Sequence, residues 1–249
     1  MRRLELATDI IFPTVTTEGT GDRMAAVGSR SLGLPEEVAA YVRELILSGE
    51  VRPGDFLRLE PIAEAVGVSN TPVREGLLSL RSEGFVKLVP RRGFMVESFT
   101  PEDVYDIFWA QAKLAGELAA RAAKRISAAE IQELEKILDE YEKAVEAGDN
   151  ERIGDLGHAF HRLINRAADS NRLALMLSSI VQHLPNRFYA SIEGHVEATR
   201  DDHRKIVAAL RARKAGEARK LTEGHILESP EHLIDLLRRR GLWENEQSA

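Results

Sequence analysis

The sequence predicts a mainly α chain in two parts, a small α+β module followed by an all-α bundle of about six or seven helices. Three observations predict it. Apolar residues recur at helical spacing in successive segments, which begin at Ser, Thr, Asp or Pro and end at Gly. A single pair of short extended runs flanks a Pro-Arg-Arg-Gly turn at 90–93, and beyond Pro101 no segment alternates as a strand would. The length, 249 residues, suits two modest domains better than one large core.

Residues 1–30 carry Thr, Gly and Ser clusters without periodicity and read as a flexible N-terminal tail. A first helix starts at Leu34, with Pro35 in its opening turn, and turns Val38, Val42, Leu45 and Ile46 inward before Ser48-Gly49 ends it. Arg52-Pro53-Gly54-Asp55 makes a turn. A short second helix over 61–66 buries Ile62, Ala63 and Val66 and stops at Gly67, a residue suited to a left-handed C-cap. Ser69 then caps a third helix, which has Pro72 in its first turn and Val73, Leu77, Leu78 and Leu80 as its buried stripe. Extended runs at 85–89 and 94–97 form a hairpin with a basic turn. Helices follow near 101–125, 127–147, 149–169, 171–192, 195–213, 215–227 and 230–239. The module therefore spans 31–98, the helical domain 99–240 and a C-terminal tail 241–249.

Composition narrows the function classes. With 43% hydrophobic and 30% charged residues the chain can bury cores. It has no cysteine, which excludes disulfides, thiolate metal sites and cysteine nucleophiles. No apolar run approaches the ~20 residues of a membrane span, and the N-terminal segment lacks the pattern of a cleavable leader, so a cytoplasmic protein without a membrane partner is expected. The net charge of -6 argues against a protein coated in positive charge but leaves room for a local basic patch.

Such a patch is present. Three short helices, a tight turn at 67–69 and a hairpin match a winged helix-turn-helix, whose third helix enters the DNA major groove. Between Ser69 and Met95, Arg74, Arg81, Lys87, Arg91 and Arg92 face only Glu75 and Glu83, a local net charge of +3. Basic side chains there displace phosphate counterions, and an Arg paired to guanine adds about 1–3 kcal/mol of discrimination. The candidate DNA contacts are Ser69, Asn70, Thr71, Arg74, Arg81, Arg91 and Arg92. The alternative is a winged helix used for protein contact, with these arginines merely solvated.

The stretch GVSNTPVREGLLSLRSEGFVKLVPRRGFMV, over 67–96, closely resembles the helix-turn-helix signature of GntR-family transcriptional regulators. That resemblance implies an operator-binding module, with Ser69, Thr71 and Arg74 at matching DNA-contact positions. Asn70 stands where the family usually has Arg. Asn can pair with adenine but supplies neither a phosphate charge nor the usual guanine contact.

In the helical domain the histidines carry the chemistry. Of seven, His161, His203 and His225 lie in apolar-rich helical contexts. Neutral imidazoles converging from three helices would make an open site for a Zn, Ni or Mn-type ion, although dispersed histidines are more often plain core residues. The runs FHRLI and SNRL, Asp202-His203-Arg204-Lys205-Ile206 and Gly224-His225-Ile226 look like the FCD effector domain of the FadR-like branch of that family, over about 100–235. This resemblance implies that the three histidines hold a divalent metal beside a small-molecule pocket.

Two positions depart from the pattern. Gly157 replaces the Asp or Asn ligand expected four residues before His161; His158 or water would have to substitute, while Asp155 points elsewhere. In the first helix Gln111, Leu114 and Ala115 stand where the branch has an Arg facing the effector, so a less anionic ligand is expected, or a cation from Arg162, Arg166 or Arg187. The candidate effector contacts are Gln111, Arg162 and His158, with Phe108, Trp109, Phe160, Phe188 and Tyr189 as possible walls. Trp243, after Gly241, reads as peripheral packing or a tail contact.

The expectation is a ligand-responsive homodimeric regulator, acting as a repressor on double-stranded operator DNA with twofold-related half-sites, hinged at 98–101 and not an enzyme. The competing readings are a metal-dependent hydrolase in the helical domain and a winged-helix adaptor.

Overall fold

The computed structural model describes residues 33–185, 188–189 and 197–243, with side chains in the last stretch from 201 onward. The tail at 1–30, Arg187 and the final residues 244–249 lie outside the described residues.

The first helix, α1 (Leu34–Leu47), has Pro35 in its first turn and buries Val38, Val42, Ile46 and Leu47. Leu47 takes the place expected for Leu45, which is only half-buried, because the chain turns at Ser48 and draws the last residue inward. A two-residue strand follows, β1 (Phe56–Leu57), which sequence periodicity cannot detect at that length. Next come α2 (Leu59–Val66), closed by Gly67 in the left-handed region at φ 75°, and α3 (Asn70–Ser82). Ser69 occupies the N-cap position of α3 with extended backbone but makes no capping hydrogen bond. Leu78, expected in the buried stripe, is 36% exposed. The stripe of α3 is instead Val73, Gly76, Leu77 and Leu80. At Gly76 an added Cβ would come within 2.6 Å of the Pro35 carbonyl oxygen, so the two helices meet there backbone to backbone.

Strands β2 (Val86–Val89) and β3 (Gly93–Val96) form the hairpin, and β1 adds to it in the order β1-β3-β2, all antiparallel. Arg91, at φ 62°, and Gly93, at φ 102°, make the turn. Beyond it the described residues form seven helices: α4 (Pro101–Arg125), α5 (Ala128–Ala147), α6 (Asn150–Ala167), α7 (Asn171–Val181), α8 (Glu197–Arg211), α9 (Ala215–Leu227) and α10 (Pro230–Arg239). Caps set several starts: Thr100 with Asp103 and Ser127 with Glu130 form capping boxes, and the Asp149 carboxylate accepts from the Arg152 amide. Helix α7 stops at Val181, short of the 192 expected.

Apolar packing forms two cores. One joins the distal part of α4, from Ala115 to Ala123, with α5, α6, α8 and α9. The other joins the winged-helix residues with Val104 and Phe108 of α4, Leu184, Phe188, and Leu233, Ile234 and Leu237 of α10. Trp243 packs against the outside of this second core, partly buried, and its indole Nε1 donates to the Phe99 carbonyl at 2.6 Å.

Candidate DNA interface and effector site

Helix α3 has two unlike faces. Val73, Leu77 and Leu80 have no exposed surface, while Ser69, Asn70, Thr71, Arg74 and Arg81 all face solvent. Its C-terminal end is fixed by Glu83, whose carboxylate accepts from Nε and Nη2 of Arg43 on α1 at 3.2 and 2.5 Å. In the wing Arg91 and Arg92 are exposed, and the Arg92 guanidinium rests 4.3 Å from the Phe56 ring centroid. Lys87 pairs with Glu97, so its charge is partly spent within the sheet. What results is a basic surface of helix and wing on a buried apolar base.

At the other site three helices each contribute one imidazole. His161 comes from α6, His203 from α8 and His225 from α9, and one ring nitrogen of each lies within 4.8 Å of the other two. The Nε2 atoms of His203 and His225 are 3.2 Å apart. Metal–nitrogen bonds of about 2.0–2.1 Å in a tetrahedron would place ligand atoms about 3.3 Å apart, close to the His203–His225 separation, and three neutral nitrogen donors suit a Zn-like ion. Phe160 stacks on His203 at 4.3 Å and Tyr141 meets the same ring edge-on at 5.8 Å, which fixes its orientation. Burial, aided by the neighbouring rings, holds His161 and His203 well below the usual histidine range, and burial pulls His225 down to about 4. All three are therefore neutral near pH 7, the form in which imidazole binds a metal.

Gly157 is buried one helical turn before His161, and no carboxylate oxygen belongs to the group of ligand atoms. His158 is half-buried beside the cluster, with its ring edge-on to Tyr189 at 5.6 Å; burial lowers its pKa as well. The Asp202 carboxylate acts on His225 from outside the group and pairs with Lys205 at 3.1 Å. Gln111 is 4% exposed, and its amide donates to the Tyr189 hydroxyl at 2.8 Å, which in turn donates to the Val181 carbonyl at 3.2 Å.

Three buried polar atoms near these groups, His158 Nε2, His203 Nδ1 and Thr222 Oγ1, have no hydrogen-bond partner among the described residues. Each would cost about 1–3 kcal/mol if left so, which points to a polar occupant. Sequence reasoning missed Thr222; its one signal was a hydroxyl three residues before His225 on the same helical face.

The other expected residues are scattered. Arg162 and Arg166 are exposed on α6. Trp109 is 58% exposed, which does not suit the wall of an enclosed pocket. Phe108 and Phe188 belong to the second core, Phe160 stacks on His203 of the histidine group, and Tyr189 packs on the second core while its ring meets His158. A cleft of about 290 Å³, lined by Ser127, Ile131, Leu210 and Arg213 among others, includes none of the histidines. No helix among the described residues is long and apolar enough to cross a membrane.

Comparisons with known proteins match both parts of the chain. Residues 34–96 match the family described as bacterial regulatory proteins, gntR family, and residues 106–228 match the FCD domain. The chain is 26% identical over 199 residues to the uncharacterised HTH-type transcriptional regulator YdhC of Bacillus subtilis, covering 79% of this chain and 89% of that one. It is 26% identical to the HTH-type transcriptional regulator McbR of Escherichia coli, over 74% and 85% of the two chains. The solved structure of E. coli McbR superposes with a TM-score of 0.60 at 23% identity, covering 85% of this chain and all of that one.

Proposed function

We infer that this chain, which belongs to the GntR family of transcriptional regulators and carries an FCD domain, reads a twofold operator as a homodimer and answers to a small metabolite bound at the histidine cluster. It is a DNA-binding, ligand-responsive regulator by family. The observation that carries the reading is the division of α3: one face is fully packed and the other presents Ser69, Asn70, Thr71 and Arg74 to solvent beside a basic wing. Its relatives include a transcriptional repressor, RspR, and the Glc operon transcriptional activator, both of Escherichia coli. We read this chain as a repressor whose operator affinity the ligand changes, and as a cytoplasmic protein because its DNA is there.

The histidine cluster supports a divalent metal of the Zn, Ni or Mn type, held by His161, His203 and His225, which would supply positive charge to polarise and anchor a ligand. Three neutral imidazoles leave the whole charge of such an ion uncompensated. A carboxylate-bearing effector then fits better than the less anionic one expected from the missing arginine, with Gln111, His158 and Thr222 as its polar contacts. Sensing is favoured over hydrolysis because the relatives are transcriptional regulators.

Fluorescence anisotropy with the intergenic DNA upstream of the chain's own gene tests the reading. Wild type is expected to bind a discrete operator, and Arg74→Ala to lose about 1–3 kcal/mol of specific affinity with unchanged circular dichroism. Equal affinity of the two proteins would remove α3 as the reader.

A further inference from the structure

The expected hinge at 98–101 does not coincide with a break in packing. Winged-helix residues, the first two turns of α4 and helix α10 share one core. The C-terminal segment reinforces it: Trp243 donates to the Phe99 carbonyl, the Phe99 ring stacks on Phe85 at 5.3 Å, and the Arg240 guanidinium lies 5.0 Å from the Phe188 ring centroid. Opening the chain at 98–101 would pull these contacts apart.

The packing changes partner inside α4 instead. Val104 and Phe108 belong to the core of the DNA reader, and Ala115, Leu118, Ala119, Ala122 and Ala123 to the core that holds the histidine helices. Between them lie Gln111 and Ala112, which are buried but belong to neither core. Gln111 is the one buried polar side chain of α4, and its amide is held by Tyr189, whose ring rests against His158. The preceding residue, Phe188, is fully buried in the reader's core. Tyr189 packs on that core as well, its ring 6.2 Å from that of Phe108, so the residue that meets Gln111 and His158 also touches the DNA reader.

We propose that the Gln111–Tyr189 contact is the joint through which the effector site moves the DNA reader, with the winged helix, the first turns of α4 and α10 turning as one body about it. This rests on the reading of the histidine cluster as an effector site. A ligand that claims the Gln111 amide or crowds His158 must shift Tyr189, and Phe188 moves with it. At a rise of 1.5 Å per residue, Pro101 lies about 15 Å from Gln111, so a tilt of about 5° at the joint displaces it by about 1.3 Å, and the reading helix beyond it by more. Tyr189 acts here as a positioning residue, with its hydroxyl as the latch.

The absence of cysteine makes the test direct. Spin labels on Glu64→Cys and Lys136→Cys, both exposed, report the distance between α2 and α5 in full-length chain diluted with unlabelled chain. Tyr189→Phe, which keeps the ring, and Gln111→Met are each expected to broaden that distance distribution and to change operator affinity by about threefold or more, with no further effect when combined. Ser98→Gly is expected to leave the distribution narrow. A distribution unchanged by Tyr189→Phe, or one broadened equally by Ser98→Gly, overturns the joint. Failure of the regulator reading looks different: no DNA would bind at all, while the spin labels would still report on the joint.

Discussion

Removing the carboxylate of Glu83 tests how the reading helix is fixed to its base. The pair with Arg43 is nearly dry, with the two side chains 8% and 14% exposed, and the guanidinium also lies 5.7 Å from the Phe85 ring centroid. Glu83→Ala strands the Arg43 charge in that setting. Breaking a buried pair from one side costs about 3–5 kcal/mol, and because water reaches the edge of Glu83 the lower end, about 3 kcal/mol, applies. For a chain of this size about 2–4 °C of melting temperature accompany each kcal/mol, which gives a loss of about 6–12 °C. Arg43→Met with Glu83→Leu removes both charges and fills similar volume, so the double variant should melt within about 1 kcal/mol of wild type. Thermal melts of wild type, both single variants and the double, followed by circular dichroism, form a closed cycle. A Glu83→Ala cost below about 1 kcal/mol, or a double variant as weak as the worse single, would show that the charges are solvated and that apolar packing alone places α3.

Other expectations are independent of that pair. Isothermal titration of metal-free protein should show one zinc bound per chain, lost in His203→Ala and tightened on the order of tenfold, about 1.4 kcal/mol, in Gly157→Asp; zinc binding that survives His203→Ala would remove the triad as its site. Asn70→Arg should raise operator affinity at low salt and steepen its log–log salt dependence by about one unit, because one phosphate contact is gained; an unchanged slope means that residue 70 does not touch DNA. His183, packed edge-on to Phe85, is held below its usual pKa by burial and by Arg43, against the opposing pull of Glu83. A histidine with a depressed folded-state pKa contributes stability that is present above about pH 6.5 and lost as pH falls through the folded value. The melting advantage of wild type over His183→Gln should therefore shrink between pH 7.5 and 5, and a widening gap would contradict the sign.

The winged helix was legible because its signals are local. Gly67 ends α2 where a left-handed residue is needed, Pro72 opens α3, and the turn at 90–93 lies between two runs of strand-forming residues. The errors there also have local causes. Leu78 follows Leu77 on α3, and a one-residue step rotates the side chain about 100° away from the core, which an apolar run in sequence does not reveal. Phe56 and Leu57 form a strand only because β3 lies beside them, a contact across some forty residues.

The helical domain was legible in outline and opaque in its connections, for a related reason. Caps and stripes mark each helix, and the three histidines stood out as polar residues on apolar faces. Nothing local distinguishes Phe108 from Leu118, however: both are apolar residues on the inward face of α4, yet they belong to different cores. Core membership is decided by what packs across, and for Phe108 that includes α10, more than a hundred residues later. The linker at 98–101 looked like a hinge because it joins two sequence motifs, but a boundary between motifs is a statement about similarity, whereas a hinge is set by where packing is interrupted. The one buried polar side chain in α4 was the available clue. Gln111 is costly among apolar neighbours unless its amide is bonded, and a helix retains such a residue most readily where no apolar core closes over it, which is also where a polar ligand can reach it.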